Sequence, residues 1–156
     1  MLHIWNVASG RLTHVLTSDL KLPVVAIRYL PSGTDLATIL LTNAAGDQAS
    51  VLGLWSVSGI PQLRVRLYPT VQNKGFNAMA VTADGKHILA ATEGLESPGS
   101  NDNGGIEILS VGTGKQLQLY DRQTVFGIQS IAVAQGSLFA YGRVDGGIVV
   151  AANPFP

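Results

Sequence analysis

A pattern of about 52 residues occurs three times along this chain. Its first half is a short apolar run that ends in a turn glycine, and the copies occupy residues 24–33, 76–85 and 128–136. The turn glycines are Gly33, Gly85 and Gly136, so the copies are separated by 52 and 51 residues. A repeat of this length indicates that one structural unit is copied along the chain, and that neighbouring units bury apolar faces against one another.

A second half-pattern alternates with the first and occupies residues 4–10, 54–59 and 108–114. A large apolar residue stands at the same place in each copy, as Trp5, Trp55 and Leu109, and the steps between them are 50 and 54 residues. Each copy also ends in a glycine that can supply the positive φ of a tight turn. The repeat therefore combines two hairpin signals.

The pattern within each unit predicts strands. Short runs rich in Val, Ile, Leu, Thr and Tyr are bounded by Gly, Asn, Asp, Ser or Pro, and no window carries the spacing of an amphipathic helix. We expect four strands per unit, a to d from the centre outward. The predicted strands are c 2–7 and d 11–16; a 24–30, b 36–42, c 51–57 and d 62–68; a 76–82, b 87–93, c 105–111 and d 115–120; and a 128–134, b 138–143 and c 147–152.

Residues 4–10 and 76–90 resemble blades of the WD-repeat β-propeller family. In that family strand c ends in a Trp-Asp pair, and strand a ends in a polar-Asp-Gly turn. The repeats here are degenerate, because Asn6 and Ser56 replace the Asp, and Leu109-Ser110 replaces the pair. The resemblance covers nearly the whole chain and implies an internal hydrogen-bond network that these replacements put in doubt.

The predicted fold is therefore all-β, a partial β-propeller of four-stranded antiparallel blades, two complete and two incomplete. Residues 1–156 form one domain, which is either an open arc or a piece of a longer propeller. Trp5 and Trp55 are expected to pack between neighbouring blades, where large rings fill the widening gap. A two-sheet sandwich is the alternative, and the regular return of the Trp–Val–Gly pattern argues against it. The blade segments are 1–16, 24–68, 76–120 and 128–152.

Composition limits the possible partners. Ten acidic side chains balance ten basic ones, and no basic stripe indicates nucleic-acid binding. The chain has no cysteine, which excludes disulfides and thiolate metal sites. No apolar run is long enough to span a membrane, and Met1–Trp5 does not resemble a signal peptide, so we expect a soluble, cytoplasmic protein.

Charged residues make up only 13% of the chain, about half the usual share. An open arc of blades would also leave apolar faces and unpaired strand edges in water. The two features together predict self-association through the open blade edges.

The WD-repeat resemblance implies a rigid platform that binds other proteins, without catalytic residues or a cofactor. In a propeller the b–c and d–a loops share one face, and Tyr and Arg are common interface anchors. The long segment 93–105 is one such loop. The candidate protein-binding residues are Tyr68, Lys74, Glu93, Glu96, Asp102 and Arg122.

Two other functions are open. The oxygen-rich side chains of 93–105 could hold Ca²⁺, although their spacing does not match the calcium-loop template. A propeller hydrolase or lactonase would carry metal-binding carboxylates at the top of strand a, where this chain has Val24, Phe76 and Ile128. We predict no metal ligands, because His3, His14 and His87 lie in or beside strands and no pair of them has metal-ligand spacing.

Overall fold

The computed structural model describes residues 2–17, 22–44, 47–67, 75–92, 104–124, 127–134 and 138–152. In 42–44, 47–49, 65–67 and 121–124 the description is limited to the backbone. Within these ranges the chain forms strands and no helix, so none of the described residues belongs to a helix that could cross a membrane. The strands are β1 Leu2–Asn6, β2 Arg11–Leu16, β3 Val24–Tyr29, β4 Asp35–Ala44, β5 Asp47–Ser56, β6 Gln62–Leu67, β7 Phe76–Val81, β8 His87–Thr92, β9 Gly104–Ser110, β10 Gln116–Thr124, β11 Ile128–Val133, β12 Leu138–Arg143 and β13 Ile148–Ala152.

Each sheet is a meander in which consecutive strands pair antiparallel. Blade 1 is β1–β2, blade 2 is β3–β4–β5–β6, blade 3 is β7–β8–β9–β10, and blade 4 is β11–β12–β13. The first strands of blades 2, 3 and 4 lie next to one another, since β7 contacts both β3 and β11. These strands are the predicted inner strands a. The predicted all-β fold, a partial β-propeller of four-stranded antiparallel blades, is confirmed.

Glycines form the a–b turns of blades 2 and 3 at the predicted positions. Gly33 and Gly85 each have a φ of 70°, in the left-handed region that glycine adopts without the strain of a Cβ. Both follow strand a and precede strand b. The amide of Gly33 donates to the carbonyl of Leu30, and that of Gly85 to Thr82, each over 2.9 Å. The repeat therefore carries one turn geometry from blade to blade.

The b–c hairpin of blade 2 is longer than predicted. β4 and β5 each have ten residues, and their pairing continues out to Ala44 and Asp47. The sequence predicted strand b to end at residue 42 and strand c to begin at residue 51, which left 43–50 as a connection. An antiparallel ladder satisfies its own backbone groups, however, so it can continue past the last core residue.

Among the described residues, three apolar clusters lie between successive blades and hold the array together. Leu16 of blade 1 packs with Trp55 of blade 2 in the first cluster. Leu52 and Leu54 of blade 2 pack with Leu109 of blade 3 in the second. The third joins blades 3 and 4 through buried residues of both sheets: Ala80, Leu89, Ala91, Ile106 and Ile108 with Ile128, Ile131, Phe139 and Tyr141.

The two tryptophans differ in environment although they occupy equivalent positions. Trp55 is 4% exposed, and its Nε1 donates a 2.9 Å hydrogen bond to Thr38 Oγ1. A Cβ at Gly53 would lie 3.1 Å from this Nε1, so the absence of a side chain there gives the ring room. Trp5 is 56% exposed. The prediction that Trp5 packs between blades was wrong, because no described sheet lies on that side of blade 1.

The a–b turn of blade 3 is closed by a carboxylate. Asp84 Oδ1 accepts hydrogen bonds from Thr82 Oγ1 over 2.5 Å and from the backbone N–H of Lys86 over 3.0 Å. Thr82 Oγ1 in turn accepts from the backbone N–H of His87 over 3.1 Å. The Thr82 hydroxyl and then the Lys86 amide hold the pKa of Asp84 below its ordinary value of 3.8, because both bonds favour the charged form.

We expect Trp55→Ala to lower the free energy of unfolding by about 3–5 kcal/mol, the usual cost of emptying a core site of this size. The measurement is urea unfolding followed by circular dichroism. Ile60→Ala is the control, since Ile60 is 81% exposed in the c–d turn of the same blade and should change stability by less than about 0.5 kcal/mol. Equal losses in the two variants would contradict the assigned core.

The Asp84 turn should make stability depend on pH in the acid range. Because the folded-state pKa lies below 3.8, this contribution is present above that pH and is lost as the pH falls through the folded-state pKa. We expect the urea midpoint of the native chain to fall more steeply between pH 5 and pH 2 than that of Asp84→Asn. The prediction fails if the two pH profiles run parallel.

Candidate interaction surfaces

The inner strands of blades 2, 3 and 4 form the walls of an open central trough. At the end where these strands begin, a cavity of about 430 Å³ is lined by all three strands. A second cavity of about 530 Å³ continues the trough to the end where they finish. The trough follows from the fold, because strand a is an edge strand in blades 2, 3 and 4 and these three strands lie next to one another. The lining of the first cavity is 24–28, 77–79 and 129–131.

Polar side chains at the mouth of the trough come from positions that sequence reasoning missed. Phe76 and Ile128, expected at the top of strand a, are buried between sheets and do not line the trough. The residues that follow them, Asn77 and Gln129, do line it. Strand alternation could have shown this, because successive side chains point to opposite faces.

Arg28 is the charged residue in the described lining of the first cavity. Its Nη1 donates a 2.8 Å hydrogen bond to the carbonyl of Ile27. The described lining of both cavities contains no carboxylate and no imidazole. In the part of the chain that the structure describes, no group of three or more His, Cys, Asp or Glu residues could hold a metal ion.

The strand ends joined by b–c and d–a connections lie at the same side of the sheets, and we call this side the loop face. Its described members are residues 17, 22–23, 75, 127 and 144–147. The b–c turn of blade 4, residues 144–147, is tied to the neighbouring connection by a 3.0 Å hydrogen bond from Val144 N to Gly127 O. Both kinds of connection therefore meet on the loop face.

An ion pair fixes this turn of blade 4. Arg143 pairs with Asp145 through both carboxylate oxygens, and Asp145 Oδ1 also accepts from the backbone N–H of Gly147 over 2.9 Å. Gly146 has a φ of 85°, which a residue with a Cβ rarely adopts. The Arg143 guanidinium and then the Gly147 amide hold the pKa of Asp145 below its ordinary value. The loop face thus carries one preformed charged turn.

Most of the predicted binding residues lie outside the described residues. This applies to Tyr68, Lys74, Glu93, Glu96 and Asp102, as it does to most of the long b–c segment 93–105. Their place on the loop face, and any Ca²⁺ site in that segment, stay predictions. The segment ends earlier than expected, because Gly104 and Gly105 are the first residues of β9, where Gly105 N donates over 2.9 Å to Thr92 Oγ1.

Arg122 lies in a strand, and its assignment to a d–a loop was wrong. β10 runs through it to Thr124, which pairs with Gly104 after an irregularity in the register. The polar run Asp121–Gln123 indicated a loop in the sequence. An outermost strand tolerates such residues, because its free edge is in contact with water. The description of Arg122 is limited to its backbone.

No family model and no curated protein matches this sequence. The structure is similar to the β-propeller domain of Cps50 (Swd1) from Myceliophteria thermophila, with a TM-score of 0.68 at 14% identity over 95% of this chain and 43% of that one. It is also similar to hydrazine synthase from Kuenenia stuttgartiensis, with a TM-score of 0.67 at 13% identity over 97% of this chain and 51% of that one. This chain therefore spans about half, or less, of each of these two chains.

A third similar structure is the computationally designed Ika4 protein, with a TM-score of 0.63 at 14% identity. The match covers 96% of this chain and 78% of the designed one. At such low identities the likeness concerns the fold alone. The Cps50 (Swd1) and hydrazine synthase structures agree with the sheet order and the central trough in placing this chain among β-propeller folds.

Proposed function

We propose that this chain is a non-catalytic protein-binding module of WD-repeat type, which binds its partner through the loop face. The observation that carries the proposal is the combination of rigid sheets with the trough mouth and the Arg143–Asp145 turn at one side. Connections held on a rigid scaffold are the usual place for binding residues. Fold alone does not define function, so the proposal depends on this surface.

The surface has the chemistry of a protein-binding site. Asn77 and Gln129 offer amide donors and acceptors at the trough mouth. The Arg143–Asp145 pair lies in the b–c turn of blade 4, and Arg143 pairs with Ile128, the residue before Gln129. Tyr68 and Lys74 would add a ring and a cation, if the connection that carries them lies as the blade topology predicts. Arg122, near the end of β10, would add a second cation. Buried Tyr and Arg side chains contribute most to binding energy in many interfaces.

A propeller hydrolase or lactonase with a channel metal is the competing function. It would need carboxylates in the trough, and the described lining supplies Arg28, Asn77, Gln129 and Ser130 as its polar members near the mouth. No observation on the described residues favours it. Metal analysis of the purified protein, together with a lactone and ester assay, separates the two functions.

The binding test compares the two sides of the molecule. The loop-face variant combines Tyr68→Ala, Lys74→Glu and Arg122→Glu. The control on the opposite side combines Tyr29→Ala, Lys86→Glu and Lys115→Glu, which makes the same chemical changes at exposed positions. Proteins retained from an extract of the cells that make this protein are compared by quantitative mass spectrometry, and a retained protein is then purified and its affinity measured.

We expect the loop-face variant to weaken binding at least about tenfold, as loss of interface anchors does. The control should bind as the native chain does. Equal retention by both variants would show that the loop face is not the binding surface. Retention lost only in the control would assign binding to the opposite side.

A further inference from the structure

Blade 1 exposes apolar side chains that are buried at equivalent positions of blade 2. Trp5 pairs with Leu12 across the hairpin as Trp55 pairs with Leu63, and Val7 follows Trp5 as Val57 follows Trp55. Trp55 and Val57 are 4% and 8% exposed, with Leu63 packed beside them. Trp5, Val7 and Leu12 are instead 56%, 97% and 44% exposed. We call this exposed set of three residues the leading face.

Blade 4 exposes a second apolar set on its far side. Ile148 is 81% and Val150 is 65% exposed. In the repeat they occupy the positions of Leu52 and Leu54 in blade 2, which are buried against blade 3. Ile106 and Ile108 occupy the same positions in blade 3 and are buried against blade 4. We call Ile148 and Val150 the trailing face.

One packing rule joins these positions throughout the chain. Leu2 precedes Trp5 by three residues, and Ile4 precedes it by one. Both pack in the cluster that contains Trp55 of the next blade. Leu52 and Leu54 stand in the same relation to Trp55 and pack with Leu109 of the next blade.

The third interface follows the same rule. Ile106 and Ile108 precede Leu109 by three residues and one residue, and they lie in the cluster against which Ala151 of blade 4 packs. Ile148 and Val150 precede Ala151 by the same intervals. A residue at the repeat position of Trp5 therefore packs on the surface that corresponds to the trailing face. The chain exposes both surfaces of this contact, one on blade 1 and one on blade 4.

We propose that this chain associates head to tail with a second copy of itself, with Trp5 and Val7 of one copy packed against Ile148 and Val150 of the other. The formal net charge of the chain is zero, so little electrostatic repulsion opposes the contact between two copies. A contact between two different faces either closes a ring or extends a filament. A ring of two copies would contain eight sheets, and closed propellers typically have about four to eight blades. The inference is independent of the proposed function.

The test uses variants that block one face each. Trp5→Glu blocks the leading face and Ile148→Glu the trailing face, while Ile60→Glu is a control at an 81% exposed turn position that belongs to neither face. Mass is measured by sedimentation and by size exclusion with light scattering over a concentration series. Val7→Glu is a second leading-face variant, because a side chain that is 97% exposed contributes little to folding of the single chain. Circular dichroism verifies the fold of each variant.

We expect the native chain and Ile60→Glu to have the mass of two or more chains. Trp5→Glu and Ile148→Glu should each associate at least about 30-fold more weakly when alone, as loss of a central interface residue does. An equimolar mixture of the two should form a species of two chains, because it offers one intact leading face and one intact trailing face. Growth stops there, since the remaining faces are blocked.

Three results would overturn the proposal. A native chain that stays monomeric throughout the concentration series would show that these faces do not bind a second copy. Ile148→Glu that associates alone as strongly as the native chain would show a contact that does not use the trailing face, such as leading face against leading face. The third result is an equimolar mixture of Trp5→Glu and Ile148→Glu that stays monomeric.

Discussion

The structure depends on the contact between a large residue of one strand c and the apolar face of the preceding blade. Trp55 makes this contact with blade 1, and Leu109 makes it with blade 2. Burial of these residues is the main favourable term available to sheets that are too thin to have a core of their own. Once the contact is set, each sheet is fixed relative to the one before it.

This stacking also produces the two surfaces on which function depends. Because the contacts bring the inner strands side by side, they leave a trough between β3, β7 and β11. Because all blades share one strand direction, their b–c and d–a connections meet on the loop face, where the Arg143–Asp145 pair holds one turn in place. The trough mouth and the loop face are thus consequences of packing.

The sequence predicted the strands, the sheet order and the turn glycines, because alternation and positive φ are local requirements. It did not predict the surroundings of Trp5, since burial depends on whether another sheet lies against it. It also mistook Asp121–Gln123 and the tip of the β4–β5 hairpin for loops, because polar residues in an edge strand or beyond the core resemble loop residues. For the candidate site, alternation could have identified Asn77 and Gln129. The connection that carries Tyr68 and Lys74 has no repeated pattern from which side-chain positions could be predicted, and the strand that contains Arg122 was mistaken for a loop.

The buried hydrogen bond from Ser50 Oγ to the carbonyl of Phe76, 2.8 Å long, crosses from strand c of blade 2 to strand a of blade 3. Like this bond, the apolar clusters between sheets join each blade to its immediate neighbour. In such a linear array the two middle sheets hold each other in place, while the terminal sheets are supported from one side only. Thermal opening should therefore start at the two ends, and blades 2 and 3 should persist as the last cooperative unit.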